Sequence, residues 1–149
     1  MTEDQQRMLQ KIYTEQQLTE SELNRVQQQS ELIQVYLTNY RAGLMVLEEI
    51  EKKKDGEEML MNVGGSIFVQ AKLVKPEKVT RGIGSGVRIE QTVEDAKAAV
   101  TETVTEMEQQ QDALTQKYQN LLARASVLNS QFQELAAQIQ AAQPAAEEE

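Results

Sequence analysis

The sequence predicts a mainly α fold: a long antiparallel two-helix coiled coil with two β-hairpins between the helices. Three observations lead there. Six of the seven glycines fall between residues 54 and 92, and 19 of the 21 glutamines fall outside that window. Outside it, apolar residues recur at alternating spacings of three and four, which is the signature of a coiled-coil seam. Helix breakers therefore gather in the middle of the chain and helix formers on either side.

Composition agrees with a seam rather than a thick core. Hydrophobic residues make up 40% of the 149, but aromatics only 4%, with no Trp. The apolar residues are mainly Leu, Val, Ile, Ala and Met, which pack well between two helices.

The first helix is predicted over 1–54. Its seam reads Leu9, Ile12, Gln16, Thr19, Leu23, Val26, Ser30, Ile33, Leu37, Tyr40, Leu44 and Leu47. Lys52, Lys53 and Lys54 fall at its expected C-terminus, where cations complement the helix dipole. Gly56 just beyond can take a left-handed stop. Gly43 lies inside the helix, either as a tolerated glycine or as a point of close approach.

The middle, 55–92, is predicted as a β assembly head. Ser66 to Leu73 alternates, with Ile67, Val69, Ala71 and Leu73 on one face. Lys75-Pro76-Glu77-Lys78 reads as a turn, with Val79 to Ile83 returning along the preceding strand. Met59 to Val63 and Val87 to Glu90 are two further short strands. Such hairpins cannot bury both faces, and open edges recruit other strands. The head therefore calls for partner subunits.

The second helix is predicted over 93–142, opened by Thr92 and Asp95 as a capping pair. Its seam reads Val93, Lys97, Val100, Val104, Met107, Gln111, Leu114, Tyr118, Leu121, Ala125, Leu128, Phe132, Leu135 and Ile139. A compact head brings the inner helix ends together, so the helices should pair antiparallel. Residues 143–149 are Pro, Ala and Glu rich and are expected to be a disordered acidic tail.

Several chemistries are disfavoured. There is no Cys and no His, which removes disulfides, thiol chemistry and His-based metal or nucleophile systems. A net charge of −9 repels phosphate backbones, so nucleic-acid binding is not expected. No apolar run has membrane-spanning length, and Met1-Thr2-Glu3-Asp4 is not a secretory start. A cytoplasmic protein without cofactor or metal is expected. Gly82-Ile83-Gly84-Ser85-Gly86 has GxGxG spacing and continues as a strand, whereas a dinucleotide fingerprint needs GxGxxG opening a helix. Glu48, Glu49, Glu57 and Glu58 suit a solvated helix end better than an acid–base site.

The distal end carries Met8, Leu9, Ile12 and Tyr13 on helix one and Leu128, Phe132, Leu135 and Ile139 on helix two. With Gln16 and Thr19 in the adjoining seam, that end should pair weakly. These eight residues either close the coiled coil or offer adaptable apolar surface suited to promiscuous binding.

The whole pattern resembles the α-type subunits of archaeal prefoldins. The head carries the resemblance most specifically, in Val63-Gly64-Gly65-Ser66-Ile67-Phe68-Val69-Gln70-Ala71-Lys72-Leu73 and Val79-Thr80-Arg81-Gly82-Ile83-Gly84-Ser85-Gly86-Val87-Arg88-Ile89-Glu90. It implies an ATP-independent chaperone, not an enzyme. In that family two α and four β subunits join their hairpins into a platform. The coiled-coil tips hold non-native protein and pass it to a group II chaperonin. Carried onto this chain, Ile67, Phe68, Val69, Leu73, Val79, Ile83, Val87 and Ile89 become assembly surface, and the eight distal residues become client contacts. The competing expectation is a coiled-coil adaptor or spacer with one dedicated partner.

Overall fold

The computed structural model describes residues 2–142. Its elements run α1 (Glu3–Glu51), β1 (Glu58–Gly64), β2 (Ile67–Lys72), β3 (Lys78–Gly84), β4 (Val87–Thr92) and α2 (Val93–Ala142). The expected acidic tail, 143–149, lies outside the described residues. The described residues form two compact units: 2–34 with 110–142, and Val35–Gln109.

The helix starts are capped by side chains. Thr2 and Gln5 form a reciprocal pair, with Thr2 N–H donating to Gln5 Oε1 at 2.9 Å and Gln5 N–H to Thr2 Oγ1 at 3.3 Å. This satisfies two amides that a helix start otherwise leaves free. At α2, Asp95 N–H donates to Thr92 Oγ1 at 3.1 Å. Glu94 and Asp95 place negative charge in the first turn, where the dipole favours it. Thr92→Ala should cost about 1 kcal/mol of helix stability, measurable as a lower denaturation midpoint. An unchanged midpoint would show that the cap contributes nothing.

In the first unit the segments of α1 and α2 pair antiparallel. Glu15 meets Arg124 at 3.5 Å, Glu22 meets Lys117 at 3.4 Å, and Ser30 meets Gln111 at 2.6 Å. In the second unit Arg41 pairs with Glu108, and Glu51 with Lys97 at 3.0 Å. Numbers rise on one helix as they fall on the other. Every predicted seam position is buried or half-buried except Tyr40, which is 38% exposed. Val26 and Leu37 are the most enclosed, at 1% and 2% exposed. Ala96, outside the predicted seam, is buried as well.

Lys97 shows how a charge is held in a seam. Its side chain is half-buried, and its Nζ donates to Glu51 Oε2 at 3.0 Å. That hydrogen bond raises its pKa above the ordinary lysine value. Partial desolvation opposes the rise, and the Glu51 and Glu48 carboxylates add to it.

Two points of the sequence reading are corrected. First, α1 ends at Glu51, so Lys52–Lys54 follow the helix instead of closing it. The chain tightens there: Lys52 N–H donates to Glu49 O at 3.2 Å and Lys53 N–H to Ile50 O at 3.0 Å. Three-residue bonds of this kind commonly finish a helix. Gly56, at φ 79°, then redirects the backbone.

Second, Val79 to Ile83 does not return along Ser66 to Leu73. The pairs are β1 with β2 and β3 with β4, both antiparallel, in separate two-stranded sheets. The reason lies in turn chemistry. Two-residue hairpins favour turns with positive φ at both central positions. Gly65 and Ser66 supply φ of 58° and 60°, and Ser85 and Gly86 supply 50° and 76°. Pro76, locked at negative φ, cannot do so. Lys75-Pro76-Glu77-Lys78 does form a turn, with Lys78 N–H donating to Lys75 O at 3.1 Å. It links the two hairpins instead of making one, and Pro76 is buried.

Each hairpin carries a register shift beside its turn, between Asn62 and Gly64 and between Gly82 and Gly84. Val63 and Ile83 are the extra residues. Such bulges bend the strand and sharpen its twist.

Candidate functional site

Strand alternation sorts the hairpin side chains into faces. In the first hairpin, Met59, Met61, Ile67, Val69 and Ala71 share one face. Leu60, Asn62, Phe68, Gln70 and Lys72 share the other, since Leu60 is paired with Gln70 and Asn62 with Phe68. Met59 is buried at the helix end of the hairpin. Towards the turn both faces are open: Ile67 is 60% and Phe68 55% exposed, and Val69, Leu60 and Val63 are exposed too.

The second hairpin differs. Val79, Arg81, Ile89 and Gln91 are half-buried on one face. Arg81 Nε donates to Gln91 Oε1 at 2.8 Å across the strands. The other face is polar, with Lys78 and Glu90 paired at 3.1 Å. Ile83 and Val87 are exposed beside the turn. The first hairpin therefore offers apolar surface on two sides and the second on one.

Of the eight assembly residues read from the sequence, Ile67, Phe68, Val69, Ile83 and Val87 are exposed, while Leu73, Val79 and Ile89 are half-buried within the unit. Leu60, Val63 and Val74 are exposed apolar residues that the sequence reading missed. Leu60 stands on the face opposite the one the alternation marked, and Val63 is a bulge residue without periodicity. Pairing β1 with β2 would have found Leu60.

In the other unit, Ile12, Leu128 and Leu135 are buried in the seam, and Leu9, Phe132 and Ile139 are half-buried. Of the eight client residues read from the sequence, Met8 and Tyr13 are the exposed ones, each 58%. Met8, Ile12 and Leu135 line a groove of ≈ 410 Å³, rimmed by Lys11, Glu15, Glu134, Gln131 and Gln138. Its floor is apolar and its rim carries both charges. Such a surface can take an extended apolar segment of varied sequence.

Among the described residues no cluster of acidic side chains is arranged to hold a metal ion, and no helix is long and apolar enough to cross a membrane.

Comparison with known proteins gives the family. The prefoldin subunit model matches residues 19–138. The prefoldin subunit alpha of Archaeoglobus fulgidus is 32% identical over 124 residues, spanning 83% of this chain and 88% of that protein. Among solved structures, the filamentous PFD of Methanocaldococcus jannaschii matches with a TM-score of 0.61 at 18% identity, covering 77% of this chain and 95% of its own. The prefoldin beta subunit of Thermococcus strain KS-1 matches with a TM-score of 0.56 at 20% identity, covering 85% of this chain and 90% of its own. At those identities the structural likeness speaks to the fold, two long helices with small hairpins between them. With the family match and the hairpins between the helices together, the chain belongs to the prefoldin family and is a chaperone subunit.

Proposed function

We propose that this chain is the α-type subunit of a hetero-oligomeric prefoldin, joined to β-type subunits through its two hairpins. Client binding and delivery to a chaperonin are the general role of the family. For this chain, two copies with four β-type subunits hold non-native proteins in the cytoplasm, without nucleotide or catalysis, and pass them to a group II chaperonin. The client surface is the end of the α1–α2 pair formed by Met8, Leu9, Ile12, Tyr13, Leu128, Phe132, Leu135 and Ile139.

The observation that carries this reading is the exposed apolar surface at the hairpin turns. A two-stranded sheet with Ile67, Phe68, Val69, Leu60 and Val63 open to water is marginal by itself. Covering those side chains with a partner removes apolar area worth about 25 cal/mol per Å². Apolar side chains also stay exposed in the other unit, at Met8 beside the groove and at Tyr13, and serve clients.

Met8→Glu with Tyr13→Glu tests the client surface. Both side chains point to solvent, so folding and assembly should be preserved. Suppression of aggregation of a chemically denatured client by the assembled oligomer should drop several-fold, because charged groups resist burial against an apolar segment. Unchanged suppression would remove this end of the molecule from the client site.

A further inference from the structure

The seams of α1 and α2 are built from the same few apolar residue types. A heptad-shifted pairing, or a pairing with the seam of a second copy, would bury much the same side chains. Apolar area alone therefore does not select the pairing observed. Polar seam residues can, because a buried polar group needs its own partner.

Two of the polar seam positions discriminate little. Thr19 returns its hydroxyl to Glu15 O of its own helix at 2.7 Å, so any facing helix satisfies it. Lys97 does cross to α1, but at the helix end, where Glu48 acts on it beside Glu51 and the choice of carboxylate is not unique. Gln111 is different. Its Nε2 donates across the seam to Ser30 Oγ at 2.6 Å, and its Oε1 is buried without a partner. A shift by one heptad along α1 would set Leu23 or Leu37 opposite Gln111 in place of Ser30. Neither leucine can accept the bond, and both ends of the amide would be stranded. An unpaired buried acceptor also means that an apolar residue would pack more favourably at position 111.

We infer that the Ser30–Gln111 pair selects the partner and the register of the helix pairing, and that it does so at the expense of stability. By fixing register it also fixes which α1 residues meet Leu128 and Leu135, and so the shape of the groove at Met8 and Ile12. The inference does not depend on what the groove binds.

The test uses the full chain, which has no cysteine of its own. Glu22→Cys and Lys117→Cys, whose native side chains meet at 3.4 Å, carry spin labels for pulsed EPR, and mass is followed by light scattering. The otherwise native chain should give one narrow distance. Adding Ser30→Leu and Gln111→Leu should raise the melting midpoint by a few degrees. It should also produce a second, longer distance population, because a one-heptad slip offsets the two labelled positions by about 10 Å along the helix axis, or a dimeric fraction. Exchanging the residues, as Ser30→Gln with Gln111→Ser, should restore the single distance and the original mass. One narrow distance and an unchanged mass in the double-leucine chain would overturn the inference. So would a lowered melting midpoint in that chain, or a broad distribution in the exchanged chain.

Discussion

A chain carrying Ile67→Asp and Phe68→Asp should keep its helices and lose its partners. The two side chains lie on opposite faces of the first hairpin near its turn, and both are more than half exposed. Circular dichroism should therefore register little change. Mixed with a β-type prefoldin subunit, however, the variant would have to bury a carboxylate on each face. Each uncompensated buried charge costs several kcal/mol, and every 1.4 kcal/mol is about tenfold in affinity. Co-assembly should weaken by about a hundredfold or more, read by gel filtration across a concentration series. A variant that still assembles at the concentrations used for the native chain would show that the first hairpin is not an interface.

The second large effect lies in the seam. Leu37 is almost fully enclosed, and Leu37→Ala leaves a cavity as well as losing transfer energy. The expected destabilisation is about 2–5 kcal/mol, seen as a shift of the denaturation midpoint followed by helix signal. The surface ion pairs set the contrast. Glu22 with Lys117 and Glu15 with Arg124 are partly exposed, and surface pairs of this kind contribute about 0–1 kcal/mol each. If Leu37→Ala cost no more than Lys117→Ala, the seam would not be what holds the helices together.

How much of this was legible in the residues depends on the physics of each part. Seam positions read directly, because a period of three and four is unlike anything a polar loop produces. Tyr40 fell short of burial, where a phenol can keep its hydroxyl in water. Ala96 was missed because one small side chain adds little to a periodic pattern.

Strand pairing was harder. Alternation marked Ile67, Val69, Ala71 and Leu73 as a face, but alternation does not name the neighbouring strand. A proline turn nearby suggested the wrong one. The sign of φ at Gly65-Ser66 and Ser85-Gly86 decides the pairing, and glycine content hints at that sign without fixing it.

The distal end was the least legible. The same apolar residues that close a seam can bind a client, and spacing does not separate the two. Burial separates them in part: Ile12, Leu128 and Leu135 belong to the seam as folded, while Met8 and Tyr13 face water.

Native mass spectrometry of this chain mixed with a β-type prefoldin subunit tests the central reading most directly. It should give one dominant complex with two copies of this chain and four of the partner, and that complex should disappear when Ile67 and Phe68 are replaced by Asp. A chain that stays monomeric beside its partner, or a complex indifferent to those two replacements, would contradict assembly through the hairpins.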